Sequence, residues 1–489
     1  MSQARQLLQV IARLVTSRLL YRILVALSII IASNYLITIP ELSDIFDVAS
    51  AAVSIIMIGS EVGMSMVLMR HGAEQNREKL RPYYGTALVI ESLAWLGLFA
   101  SIIGGYAVFN GFTTMFWLLA ILGVNQAIIQ YRVVIRSIYR SLRDNETITY
   151  IEIIDGACKL LGVWLITHWI SNPITGAYWI ALLYTITTII FIGLYGWHSF
   201  SLVKPLIQWS LRSGMIKEGV WYSLQGLIMT VYFEIDKLIM RLFQSTGWAD
   251  IAAGDIARYG AAARLIVFFL VFHRIGLQVI TPDLYASFAT NKDRYRRIVQ
   301  CSTRYMGAFG IALGTGLIVL ADDIMHLLYR AEFWSAIPAL QLFGAFLIIR
   351  FIGITSSQVL ATTGNQPLRT RQEGYAVVVN IVLDIILIPR YGFMGGAMAT
   401  LATELLFQSI FFVMTRRLIQ DSISRSLWQI VPALAAGLVM GMVIWFLKPL
   451  VLLWLLPLIG AAVFVLLLWL FRFFNEADFK LLKKTPTVI

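Results

Sequence analysis

Long apolar runs alternate with short polar stretches from Leu19 to Phe474. A bilayer core takes about 20 residues of helix to cross, and about fourteen of these runs reach roughly 18–25 residues. The predicted spans are 19–39, 45–69, 83–109, 113–139, 147–170, 174–198, 219–243, 259–281, 303–328, 337–362, 373–390, 395–415, 428–447 and 450–472. Lipid supplies no hydrogen-bond partner, so each span must satisfy its own backbone as a helix. The expected fold class is an all-α polytopic membrane protein. Residues 1–17 follow a different pattern: Leu7, Leu8, Ile11, Leu14 and Val15 recur at helical spacing opposite Arg5 and Arg13. That pattern predicts an amphipathic helix lying in the headgroup layer. A cleaved signal peptide is disfavoured, because the run from Leu19 to Ile39 is too long for an h-region.

Composition agrees: 59% of the residues are hydrophobic and 13% charged, about half the charge of a soluble domain. The cations sort by loop. Arg70, Arg77, Lys79 and Arg81 follow the second run, Arg136, Arg140 and Arg143 the fourth, and Lys204, Arg212 and Lys217 the sixth. Lys292, Arg294, Arg296 and Arg297 follow the eighth, Arg369 and Arg371 the tenth, and Arg416, Arg417 and Arg425 the twelfth. The alternate loops hold only Arg258, Arg330, Arg390 and Lys448. Cation-rich short loops stay cytoplasmic, which puts both termini inside and makes the number of spans even. The net charge of +12 thus follows from topology. Nucleic-acid binding would need a basic face or a reading motif, and neither is present. Cys158 and Cys301 fall in or beside spans on the inner side, which disfavours a disulfide or a metal site.

The stretch Phe200 to Glu218 is basic and partly apolar and reads as an interfacial connector between halves. The expected organisation is an interfacial helix at 1–17, a first lobe at 18–199, the connector at 200–218 and a second lobe at 219–427. Two last spans and a cytoplasmic tail complete it at 428–489. An internal repeat supports the division: Asn145 to Ile192 can be laid on Asn365 to Phe412 at a constant offset of 220, pairing Gly176-Ala177 with Gly396-Ala397. Both copies run in the same direction, as in parallel repeats related by an axis along the membrane normal, with substrate expected between them.

The chain has no GxxxxGK[ST] loop for nucleotide phosphates, no metal-ligand spacing among its five histidines, and no outward loop long enough for a glycosyltransferase or polymerase site. No catalytic residue or cofactor is expected, which leaves a secondary transporter or flippase. Asn380 to Thr400, NIVLDIILIPRYGFMGGAMAT, closely resembles a signature of polysaccharide exporters of the MOP superfamily. The pattern is Asn, an apolar run, Ile-Pro, Tyr-Gly, then Gly-Ala-x-Ala-Thr opening the next helix. Leu328 to Leu342, LYRAEFWSAIPALQL, looks like the family's segment between its ninth and tenth spans; Asp236-Lys237, Tyr259 with Ala262, and Pro282 also fit. The first half matches chiefly in hydropathy. The resemblance implies two six-helix lobes in a V-shaped, MATE-like arrangement, working by alternating access, plus two C-terminal helices. It implies an undecaprenyl-pyrophosphate-linked oligosaccharide as cargo, in a bacterial inner membrane, as for Wzx-type flippases of O-antigen and capsule units. A working association with a polysaccharide polymerase goes with that reading. Membrane lipids are the other expected partners, nucleic acid is not one, and a monomer is expected.

A charge at mid-bilayer costs about 2.5–3.5 kcal/mol on insertion scales, so each one needs a reason. Arg264, Val271, Arg274 and Gln278 share one face of the eighth span, and Tyr222, Gln225, Tyr232 and Asp236 one face of the seventh. Arg350 lies midway along the tenth span with no acidic residue within a turn. It is tolerable if it meets water, a carboxylate on another helix, or an anionic cargo. The functional reading makes Arg350, Arg274, Arg264, Arg22 and Arg132 cavity cations, with Asp236, Tyr222, Gln225, Tyr232 and Gln278 as polar lining. The structural alternative is inter-helix ion pairing, such as Asp236 with Arg264 or Arg274. Asp155 and Lys159, four apart, should neutralise each other. Arg22, Arg132, Lys237 and Arg241 have snorkelling as their bland explanation. Glu61, Glu91 and Glu404 either carry coupling protons or bond to neighbouring helices, and H⁺ against Na⁺ coupling stays open.

Three alternatives stand beside the oligosaccharide flippase. A cation-coupled multidrug exporter of the MATE branch usually relies on a carboxylate in the first span, and residues 19–39 contain none. A lipid II flippase is a close relative of the first reading. A membrane enzyme of polysaccharide assembly is disfavoured by the short outward loops.

Overall fold

A computed structural model describes residues 2–72, 77–142, 146–419, 427–475 and 478. The described residues form helices joined by short turns, with no strand among them. The helices are α1 (Ser2–Leu36), α2 (Pro40–Met57), α3 (Met64–Gly72), α4 (Arg77–Asn110), α5 (Thr114–Ser141), α6 (Glu146–Trp169), α7 (Pro173–Leu202) and α8 (Arg212–Thr246). There follow α9 (Asp255–Thr290), α10 (Lys292–Val319), α11 (Ala321–Leu328), α12 (Ile337–Thr362), α13 (Gln366–Tyr391), α14 (Phe393–Leu418), α15 (Val431–Leu447) and α16 (Leu456–Leu470).

Among the described residues nine helical segments are long and apolar enough to cross a membrane, or ten if α10 and α11, bent by 66°, act as one span. The shorter apolar α15 and α16 have 17 and 15 residues. The α6 and α8 helices miss that measure and are rich in charge, α6 with Glu152, Asp155 and Lys159, α8 with Glu234, Asp236, Lys237 and Arg241. With these included the segments follow the fourteen expected spans in order. Two differ in form. The element expected at 1–17 is continuous with the first span in the single helix α1. The second span is interrupted: α2 ends at Met57, a 3₁₀ turn covers Ile58–Glu61, and Val62 and Gly63 take φ of 49° and 71° before α3 begins.

Local chemistry sets several ends. Asn172 accepts the Ile174 N–H at 2.9 Å with Pro173 in the first turn of α7, and Asn291 accepts the Arg294 N–H at 2.9 Å to open α10. Both satisfy donors that a helix start leaves without a partner. The signature turn at 391–396 has the same logic. Gly392 takes φ 58° between α13 and α14, a left-handed conformation that a Cβ penalises. A Cβ on Gly395 would lie 2.4 Å from the Leu387 carbonyl oxygen, so the two helices can pack this closely only through glycine. The paired helices keep the offset of the repeat: α14 begins at 393 against 173 for α7, and α13 at 366 against 146 for α6.

The chain divides into two compact units, Met1–Ser245 with Ala252–Ala257, and Thr246–Ile251 with Arg258–Ile489. In the first, α2, α5 and α7 enclose Leu36, Leu42, Ala49, Leu118, Leu122 and Ala177, while α3, α4 and α5 enclose Met64, Leu68, Tyr84, Val134 and Ile138. The α8 helix, expected in the second lobe from 219 onward, is held in this unit at both ends. Glu218 takes Arg70 at 3.0 Å and His71 at 3.4 Å, and beside it a Cβ on Gly63 would lie 2.0 Å from the Gly219 carbonyl oxygen. At the other end buried Asp44 accepts the N–H groups of Gly254 at 2.8 Å and Ala257 at 2.9 Å and the Gln244 amide at 3.3 Å. In the second unit α10 packs on α12, α12 on α14 and α10 on α15. Gly314 and Gly344 bring α10 and α12 together, each leaving less than 3 Å between a built Cβ and the other's carbonyl oxygen. The Gly437/Gly441 pair of α15 faces Ile311 and Thr315 of α10. Glycines four apart on one face let helices approach in lipid, where packing rather than hydrophobicity drives association.

Candidate functional site

Two clusters of intramembrane charge stand out, one in each unit. In the second unit Arg350 sits at the middle of α12, 13 residues past Ile337. Its Nη1 donates to both oxygens of Glu404 at 2.9 and 3.2 Å. Glu404 is buried at mid-α14 and also accepts the Gln408 amide at 2.6 Å. Gly353 gives Gln408 room, since a Cβ there would clash with its side-chain oxygen. The cation that had no acidic neighbour on its own helix is thus met by a carboxylate from α14.

Arg274 is different. It lies near the middle of α9, is exposed, and stands within electrostatic reach of Arg350. Among the described residues no carboxylate lies within ion-pair distance of it. Between these arginines His273 stacks edge-on against Phe351, ring centroids 5.5 Å apart, and feels Arg350, Arg274 and Arg369. Arg369 is itself paired with Glu373 at 2.9 Å. The region therefore carries an excess of positive charge around an arginine open to solvent or lipid. Arg264 is half-buried on the same helix, ten residues before Arg274, or roughly 15 Å along the axis. The Gln278 side chain lies outside the described residues.

In the first unit the pairing is denser. Asp155 of α6 accepts Lys159 Nζ at 2.8 Å and Arg132 Nη1 of α5 at 3.4 Å on the same oxygen. Arg132 also donates to the Tyr21 hydroxyl at 3.1 Å, and Arg136 pairs with Glu152 one turn away. Arg132 therefore turns inward to a carboxylate and a tyrosine instead of snorkelling, and Lys159 shares its carboxylate. Arg22, one residue beyond Tyr21, is half-buried on α1.

The remaining expected positions lie on α8 and around the interrupted span. Tyr232 and Asp236 are buried, Gln225 is half-buried and Tyr222 exposed, all in the first unit. Lys237 pairs with Glu234 at 2.6 Å and Arg241 donates to Gln244 at 2.7 Å, so both have polar partners on their own helix. Glu61 accepts the Ser65 N–H at 2.9 Å across the interruption. Glu91 of α4 is fully buried. Asp44 was missed by sequence reasoning because it sits at a span's end, where a carboxylate needs no special account. No group of three or more potential metal-ligating His, Cys, Asp or Glu side chains occurs among the described residues.

No protein-family model matches the chain. The chain is similar to two proteins of Haloferax volcanii. It is 22% identical over 223 residues to the probable low-salt glycan biosynthesis flippase Agl15, covering 39% of this chain and 47% of that protein. It is 27% identical over 225 residues to the probable flippase AglR, covering 44% of each. The chain thus spans under half the length of the curated relatives it matches. Among solved structures, the lipid II flippase MurJ in an inward closed conformation superposes with a TM-score of 0.70 at 16% identity, over 94% of this chain and 98% of that one. A multidrug resistance MATE family transporter of the MOP superfamily, inward-facing, gives 0.61 at 15% identity over 83% and 94%. The all-helical membrane fold is therefore the one found in MurJ and MATE transporters.

Proposed function

We propose that this protein is a flippase of the MOP-superfamily type that moves a lipid-linked oligosaccharide, carried on a polyprenyl pyrophosphate such as undecaprenyl pyrophosphate, across the membrane. The single observation that carries the reading is Arg274: a mid-span cation, exposed, beside Arg350, with no carboxylate in reach among the described residues. A cation so placed is tolerable where an anion visits it, and guanidinium groups bind phosphate oxygens through paired, charge-assisted hydrogen bonds. The similarity to proteins named as glycan flippases supports the same cargo class. The same positive excess disfavours cationic drugs, the cargo of the MATE-type alternative, by like-charge repulsion. A lipid II flippase would need the same pyrophosphate-binding cations, so the sugar distinguishes it. No chemical step is assigned to the protein.

In this reading two lobes work by alternating access, with α8 moving as part of the first and both termini on the cytoplasmic side. The test is transport of an undecaprenyl-pyrophosphate-linked oligosaccharide in proteoliposomes, scored by its access to a membrane-impermeant reagent. Arg274→Ala should fold normally and slow transport roughly 10- to 100-fold, the worth of a charge-assisted hydrogen bond of about 1.5–3 kcal/mol. Wild-type transport by a stable Arg274→Ala protein would overturn the assignment. Cysteine at Asp250 should react with an impermeant thiol reagent from the outside and cysteine at Asp293 should not; the reverse would invert the topology.

A further inference from the structure

The first unit has a face that the cargo reading does not use. The α5 helix packs on both α4 and α7, and the three leave an open groove of about 730 Å³ between them. Leu88 of α4, Ile135 of α5 and Ile192 of α7 give it apolar walls. Glycine makes the space: Gly193 and Gly196 of α7 line the groove, and a Cβ on Gly193 would meet no atom within 4 Å. Both lining hydroxyls are already engaged, Tyr131 with Ser92 at 2.5 Å and Ser201 with the His198 carbonyl oxygen at 2.7 Å. The groove therefore suits hydrocarbon and offers little to a polar solute.

One end of the groove, at Trp197 and Phe200, lies beside the end of α7 at Leu202. Trp197 is 82% exposed, and an indole so placed belongs at headgroup level. The connector that follows is bonded back onto the start of α4. The Leu206 N–H donates to the Arg81 carbonyl oxygen at 3.0 Å, Arg81 Nε to the Lys204 carbonyl oxygen at 3.2 Å, and the Gln208 N–H to the Thr86 hydroxyl at 3.0 Å. These bonds fix Arg81 and Lys204 together at the mouth. Arg81 stands seven residues before Leu88, on nearly the same face of α4 and roughly 10 Å along its axis. Arg81 is shared with Glu78 at 2.8 Å. Lys204 is exposed, and among the described residues no carboxylate lies within ion-pair distance of it. Arg212, exposed and 5.2 Å over the Trp209 ring, adds a third cation to the connector.

We propose that this groove seats one anionic phospholipid, an acyl chain lying past Gly193 and the phosphate meeting Lys204 and Arg81. The cations at the mouth select an anionic headgroup, and the glycine gap leaves room for a flexible chain. A bilayer phospholipid is far more abundant than any lipid-linked intermediate, so it fills the site by mass action. Bound there, it joins the connector to α4 and α7 and raises stability with occupancy. The site stands apart from the flippase reading; only its leaflet, the cytoplasmic one, rests on the topology proposed above.

The test is native mass spectrometry and thermal melting of the full-length protein, delipidated in detergent. It is titrated separately with phosphatidylglycerol, phosphatidylcholine and undecaprenyl phosphate. The wild type should retain one phosphatidylglycerol in preference to phosphatidylcholine, and melt higher with it. Gly193→Trp, which fills the gap, should lose the retained lipid and its melting shift while melting like the wild type without lipid. If the indole disturbs the helix, Gly193→Leu carries the same expectation. Lys204→Gln should weaken phosphatidylglycerol binding about fivefold, the worth of one cation beside an anionic headgroup, and leave phosphatidylcholine unchanged. Equal retention by the wild type and the groove variants, or no preference between the two phospholipids, would overturn the proposal. So would tighter retention of undecaprenyl phosphate than of phosphatidylglycerol, which would make the groove a seat for the cargo's tail. No readout here involves transport, so a protein that holds the phospholipid and moves no lipid-linked probe fails the flippase reading alone.

Discussion

The two charge clusters are built from the same residue types and end in different states. In the first unit three cations, Arg132, Arg136 and Lys159, each lie against Asp155 or Glu152. In the second, Arg350 and Arg369 are held by Glu404 and Glu373, while Arg274 is left exposed with no carboxylate in reach among the described residues. A paired charge is part of the architecture, because desolvation has already been compensated by its partner. In the flippase reading, a cation without one keeps its field for the cargo. The difference lies in where the carboxylates stand, not in how many arginines there are.

The comparison breaks most visibly at Asp155. One carboxylate oxygen serves both Arg132 and Lys159, so Asp155→Asn leaves a half-buried and a buried cation facing a neutral amide. A loss of about 3–5 kcal/mol, the range for breaking a buried pair, is expected as reduced thermal stability of the detergent-solubilised protein. Glu404→Gln should destabilise in the same way through Arg350. The paired replacement Arg350→Met with Glu404→Leu should recover most of that stability, because no charge is left uncompensated. Transport by that double variant then sharpens the contrast: activity near wild type would make the pair purely architectural, and its loss would give Arg350 a share in cargo binding. Arg350→Lys should have the smallest effect, keeping the charge but losing the planar fork, and is checked by its transport rate beside unchanged melting.

Much of this organisation was legible in the chain. Apolar run length specified the helices, because lipid leaves the backbone no alternative. The i,i+4 spacing of Asp155 and Lys159 anticipated their bond directly. The signature glycines read as a turn, and the backbone shows why at Gly392 and Gly395. What escaped was contact across distance in sequence. Arg350 and Glu404 are 54 positions apart, and no periodicity on either helix announces the other. Asp44, which accepts from residues 210 and 213 positions away, is hidden for the same reason. The interruption at Ile58–Gly63 is invisible to hydropathy, which does not register φ, and glycines inside an apolar run are common.

The joint between Gly63 and Gly219 has a mechanical consequence. There two main chains touch with no side chain between them, and the far end of α8 is pinned by Asp44. At such a contact main-chain atoms alone set how closely the two segments approach, and neither glycine has room for a Cβ. A methyl group at either glycine would therefore have to push the two segments apart.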